Sequence, residues 1–132
     1  MSRLEEFRRF REAMNERLLE EGTLETRRFF RLDGQVYEEG ALPVRTKELL
    51  GLVAYMVLRC DDCIAYHVLR CKEEGVADAE LQEAFSVALV VGGSIVIPHL
   101  RRAQAFLDEV NEADGPSAAE SCGEHGAAGS GG

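Results

Sequence analysis

The sequence predicts an all-α protein of about six helices, and three observations predict it. Apolar residues recur at spacings of three, four and seven along most of the chain, the period of one helical face. Glycine and proline fall between these periodic stretches rather than inside them. Alternation of apolar and polar residues, the mark of a half-buried strand, nowhere persists beyond a few positions.

Leu4, Phe7, Met14 and Leu18 define an amphipathic first helix that ends near Gly22. Phe29, Phe30, Leu32 and Val36 suggest a shorter second helix closing at Tyr37, before Gly40. Pro43 suits the start of a third, because its missing N–H would be unpaired there anyway. Leu49, Leu50, Val53, Ala54 and Val57 give that helix a broad apolar face. The pattern breaks at Cys60-Asp61-Asp62, where either aspartate is expected to cap a fourth helix running to about Glu74 and stopped by Gly75. Asp78 is expected to cap a fifth helix over 79–91. Gly92-Gly93-Ser94 then breaks the chain, and a sixth helix covers about 95–111 with Pro98 in its first turn. The stretch from Phe85 to Leu100 is too apolar to leave one face in water, so it is expected at a subunit interface, in a central core, or both. From about Ala113 the composition turns to Gly, Ala, Ser and Glu, which bury too little apolar surface to offset their ordering entropy. The expected organisation is therefore one helical domain over 1–112 and a mobile tail over 113–132.

Composition narrows the function. The net charge is −9, from 15 Lys and Arg against 24 Asp and Glu, which argues against a nucleic-acid partner. The arginines at 8, 9 and 11 and at 27, 28 and 31 are interleaved with acids and read as solvated helix faces. Glu48 and Arg59 interrupt the longest apolar stretch, so no membrane span is expected. The first residues mix acids and bases without an apolar core, unlike a signal peptide, and the expected location is cytoplasmic.

In that setting, close cysteines are more often catalytic or metal-binding than structural. Cys60 and Cys63 are three apart and His67 lies four beyond, so a helix would set all three on one face. The thiolate is the attacking form of cysteine, and a neighbouring imidazole can take the thiol proton. A second cysteine can then convert the sulfenic acid into a disulfide before further oxidation. A carboxylate could orient the imidazole. Glu48 is the candidate, although spacing alone favours a solvated acid near a helix start. His67 at i+4 favours Cys63 as the attacking thiol, whereas proximity to a helix N-terminus favours Cys60.

The string Glu48-x11-Cys60-x2-Cys63-x3-His67 resembles the signature of the alkylhydroperoxidase-D-like branch of the carboxymuconolactone decarboxylase family. The approach over residues 36–50 and the segment from Glu74 to Gly93 are also similar, and the likeness spans roughly residues 25–110. The resemblance implies an all-α homo-oligomer, commonly a trimer or hexamer, with thiol-dependent peroxidase (peroxiredoxin-type, antioxidant) or disulfide oxidoreductase activity. Carried over by position, it implies Cys63 as the peroxide-attacking residue, Cys60 as the resolving one, and Glu48 and His67 as the proton relay. The implied partners are a peroxide or small disulfide and a thiol reductant, either a protein or a small thiol, with no cofactor and no resident metal. One departure stands out: well-developed peroxidases of this branch often carry a histidine where this chain has Asp62. With Asp61, it should raise the pKa of both thiols and slow attack, partly offset by Arg59.

Other readings remain open. Cys60, Cys63, His67 and Glu48 also form a plausible zinc set. The family's name-giving lactone decarboxylases lack the cysteine pair, and a non-catalytic oligomeric binding protein is a further alternative. Tyr55 and Tyr66 could line the site or simply pack. Cys71 reads as a buried inert thiol, and His99 as a satisfied core or interface histidine. Cys122 and His125 are too few, in too loose a segment, to form a site by themselves.

Overall fold

The computed structural model describes residues 1–124, with side chains described to residue 114. Its helices are α1 (Arg3–Glu21), α2 (Leu24–Val36), α3 (Val44–Leu58), α4 (Asp61–Glu73), α5 (Asp78–Gly92) and α6 (Ile97–Glu124), with a 3₁₀ turn over Ser94–Val96. The expected all-α class and helix order are both present, and there is no strand among the described residues. No described helix is long and apolar enough to cross a membrane. Helix α6 continues past Asn111, where the apolar pattern ends, to Glu124. Glu109, Glu112 and Ala113 are good helix formers and carry the backbone on without an apolar face to guide it. The side chain of Cys122 and the whole of His125 lie outside the described residues.

The chain falls into two compact units, Met1–Val44 and Arg45–Gly132. In the first, Ser2 caps α1 through a reciprocal box: its hydroxyl accepts from the Glu5 amide, and Glu5 accepts from the Ser2 amide, each at 3.1 Å. Thr23 caps α2 by accepting from the Thr26 amide at 3.2 Å. No residue of α2 is buried; its Phe29, Leu32 and Val36 are exposed.

The second unit holds the core. Leu52 and Met56 of α3, Ile64, Val68 and Cys71 of α4, Leu81, Phe85 and Ala88 of α5, and Ala103 and Leu107 of α6 form one buried cluster with Val76 and Val96. Side chains four apart on each helix reach the same interior, as the sequence period requires. The breaks between these helices set the active geometry. At the end of α3 the Cys60 amide donates to the Tyr55 carbonyl and the Arg59 amide to the Met56 carbonyl, both at 3.1 Å. This is a Schellman closure, with Arg59 at φ 62° in the left-handed position that glycine usually takes. Gly75, at φ 81°, closes α4 in the same way, through Val76 to Cys71 and Gly75 to Lys72.

Two caps differ from expectation. The cap of α4 is Cys60, whose sulfur accepts from the Cys63 amide at 3.4 Å, rather than Asp61 or Asp62. The cap position of α5 is Ala77, and Glu80 reaches back to accept from the Ala77 amide at 2.9 Å. Asp78 instead pairs with Lys72 at 2.8 Å and accepts from Asn111 at 2.9 Å, tying α5 to α4 and α6.

Candidate active site

Helices α3 and α4 bring together residues 19 apart in sequence: Glu48 Oε2 lies 2.8 Å from His67 Nδ1. Glu48 is 1% exposed and His67 3%, so this acid is no solvated first-turn residue. It sits one turn before Leu52 on the buried face of α3. A buried carboxylate needs partners, and Glu48 has a second in Arg70, whose Nε stands 3.6 Å from Oε1. The guanidinium also bonds Glu73 at 2.9 Å and Glu74 at 3.2 Å. Its hydrogen bond to Glu73 is the chief reason its affinity for a proton is raised, with the Glu48 charge adding to it. Arg70 was missed by motif reading, although it lies three residues after His67 on the same helix face.

A carboxylate can only accept, so Nδ1 carries the hydrogen in this pair, and Nε2 is then the basic nitrogen of a neutral imidazole. Aromatic rings fix the imidazole plane. Tyr55 stacks on it with centroids 5.3 Å apart and an interplanar angle of 17°, and Tyr66 meets it edge-on at 5.1 Å and 77°. Both tyrosines therefore belong to the surroundings of the histidine.

Cys60 caps α4 and Cys63 lies in its first turn. Cys60 and Cys63 are free thiols and half-buried. His67 follows Cys63 by one turn. The Cys63 thiol is pushed up from 9.0 to about 12, first by burial, then by its hydrogen bond to Cys60, the charge of Cys60 and that of Asp62. The helix-start amide works in the opposite direction but does not prevail. Asp62 raises the Cys63 thiol, as its place beside it leads one to expect. Burial leads, Asp62 contributes last, and Asp61 is turned away to α6. There its Oδ1 lies 2.7 Å from His99 Nδ1, and its Oδ2 accepts from Arg102 Nε at 2.8 Å. His99 is satisfied, as expected, by a partner that no local spacing reveals.

Cys71 is fully buried, and burial pushes its thiol up to about 12, consistent with an inert core position. Among the described residues no group of three His, Cys, Asp or Glu side chains is placed to hold a metal ion. The four residues of the candidate zinc set are brought together as two pairs: Glu48 with His67, and Cys60 with Cys63.

Residues 24–105 match the model of the carboxymuconolactone decarboxylase family. A curated Paracoccus denitrificans protein, "uncharacterized protein 4 in cox locus", is 34% identical over 85 residues, covering 64% of this chain and 77% of its own. Two crystal structures of a Thermotoga maritima protein superpose with TM-scores of 0.80 and 0.79 at 60% and 59% identity. They cover 83% of this chain and 96% and 92% of theirs. That protein is described as a carboxymuconolactone decarboxylase family member, and a part in the antioxidative response has been suggested for it. A Legionella pneumophila protein of the same family shares the fold at 22% identity and a TM-score of 0.71, over 85% of this chain and 97% of its own.

Proposed function

The chain belongs to the carboxymuconolactone decarboxylase family, and from its site we propose a thiol-dependent peroxidase that works through Cys63 and Cys60 with Glu48 and His67 as proton relay. The observation that carries the reading is the buried Glu48–His67 pair at 2.8 Å, one helical turn from Cys63. A thiol pushed up to about 12 is almost wholly protonated at neutral pH, so attack needs a base at hand. His67 is that base, and Glu48 stabilises the imidazolium it becomes. The Cys63 sulfur attacks the terminal peroxide oxygen, the O–O bond breaks, and the alcohol leaves with the proton returned by His67. Cys60 then attacks the Cys63 sulfenic acid, the S–O bond breaks, and water leaves as the disulfide forms. A dithiol protein or two small thiols restore the pair. The reading places this cycle inside the cell, where such reductants are abundant. It includes a homo-oligomer, trimer or hexamer, closed over the exposed Val87, Val90 and Val91 of α5.

One observation favours a second assignment within the same cycle. Cys63 holds its proton tightly while Cys60 stands at the helix cap, so Cys60 could attack and Cys63 resolve. Single-cysteine variants decide. With peroxide and a thiol reductant, Cys63→Ser should abolish turnover, and Cys60→Ser given peroxide without reductant should stop after one oxidation of Cys63 to the sulfenic acid. The reverse pattern exchanges the roles of the cysteines. Full peroxide consumption by both variants sinks the peroxidase reading.

A further inference from the structure

We propose that Asp61 is a positioning residue for disulfide closure: gripped by His99 and Arg102 of α6, it holds the Cys60 end of α4 where Cys60 reaches Cys63. The proposal rests on the dithiol reading above and concerns its second step. The connection from α3 to α4 is only Arg59 and Cys60. Cys60 is therefore placed by whatever anchors its two sides. On the α3 side the anchor is the Schellman closure, held at the cost of a left-handed Arg59. On the α4 side the anchor is Asp61, the next residue.

Asp61 occupies a first-turn position where a carboxylate would ordinarily serve its own helix. Instead both its oxygens are committed to α6, to His99 at 2.7 Å and Arg102 at 2.8 Å, and Arg102 also stands 3.4 Å from the same imidazole nitrogen. The shared carboxylate makes the three groups a network rather than an isolated surface pair. Arg102 also takes up a charge that would otherwise lie beside the thiols; Asp62, not Asp61, is the aspartate that raises Cys63.

Closure gives this anchor its purpose. In the dithiol state Cys60 sulfur accepts from the Cys63 amide at 3.4 Å and so helps hold the turn. As the S–S bond forms, that sulfur turns to Cys63 Sγ and its hold on the amide weakens. The grip of α6 on Asp61 involves no sulfur and persists through the step. Closure competes with a second oxidation to sulfinic acid, so the position of Cys60 sets the partition.

The experiment follows Asp61→Asn, Arg102→Gln and the double variant by mass spectrometry after a hydrogen peroxide pulse and an alkylating quench. Closure should slow by about tenfold to a hundredfold, as for a misplaced reacting group. The sulfinic fraction at Cys63 should rise accordingly. The double variant should be no worse than the worse single, because the pair acts as one unit. Asp61→Glu should recover part of the closure rate. A parallel arm uses a small aromatic disulfide: one thiol displaces an aryl thiolate, and the second cysteine displaces the other as the intramolecular bond forms. That arm reads closure even if peroxide does not react, a result that would overturn the peroxidase reading alone. Wild-type closure rates in both single variants, or effects that add in the double, overturn the positioning role.

Discussion

Burial pushes the Cys63 thiol up to about 12, and this is why the proposed cycle gives His67 a proton to take. A thiol pushed up to about 12 is held mostly protonated at pH 7, which is why the proposed cycle calls for a base. In the proposed cycle the proton moves to the imidazole as the sulfur attacks. The direction has a consequence that can be measured without peroxide. Below its pKa, a group raised from 9.0 to about 12 gains roughly tenfold in ionised form per pH unit. Iodoacetamide labelling of Cys63, resolved by peptide mass, should climb in that way from pH 7 to 10 with no plateau at 9. A plateau at or below 9 would show that the helix start outweighs burial. Glu48 carries the other residue-scale lesson. Its spacing fits a surface acid as well as a buried one, and only α4 packed beside it, with His67 at 2.8 Å, decides.

At the scale of elements, periodicity locates all the helices, but the residues that finish them are less legible. Aspartates at 61, 62 and 78 look like caps from local preference alone. Asp61 and Asp78 are drawn instead to Arg102, His99, Lys72 and Asn111, partners on other helices that no local rule supplies. Glycine ends are more readable, because a left-handed closure has few occupants. Gly75 sits at φ 81° with nothing within 4 Å of where a Cβ would project, so a substitution there meets a conformational penalty and no clash. Gly75→Ala should therefore destabilise by about 1–2 kcal/mol, read as a lowered midpoint in urea or heat. An unchanged midpoint would mean that α4 can end in another conformation.

At the scale of the whole molecule, α5 divides its apolar residues between the core and the surface. Leu81, Phe85 and Ala88 are buried in the core, whereas Val87, Val90 and Val91 are exposed, Val90 at 85%. Together with Ile95 just beyond the helix, they make an apolar surface that an isolated chain leaves in water. A charge at its centre should be tolerated by the fold and not by an assembly. Sedimentation of the wild type should show a trimer or hexamer, and Val90→Glu should shift it towards monomer with helicity retained. A wild-type monomer at tens of micromolar would remove self-association from the account.

The sequence by itself determined the helical class and the order of the helices, because both follow from spacing along one chain. The motif also marked Glu48, through its likeness to a family. Only the tertiary structure decided that Glu48 is buried against His67 and Arg70, that burial more than Asp62 holds the Cys63 proton, and that Asp61 belongs to α6. The difference is physical. Helix period is written in neighbours three and four apart, whereas the Glu48–His67 and Asp61–Arg102 pairs join groups 19 and 41 residues apart, and those meet only when the helices pack.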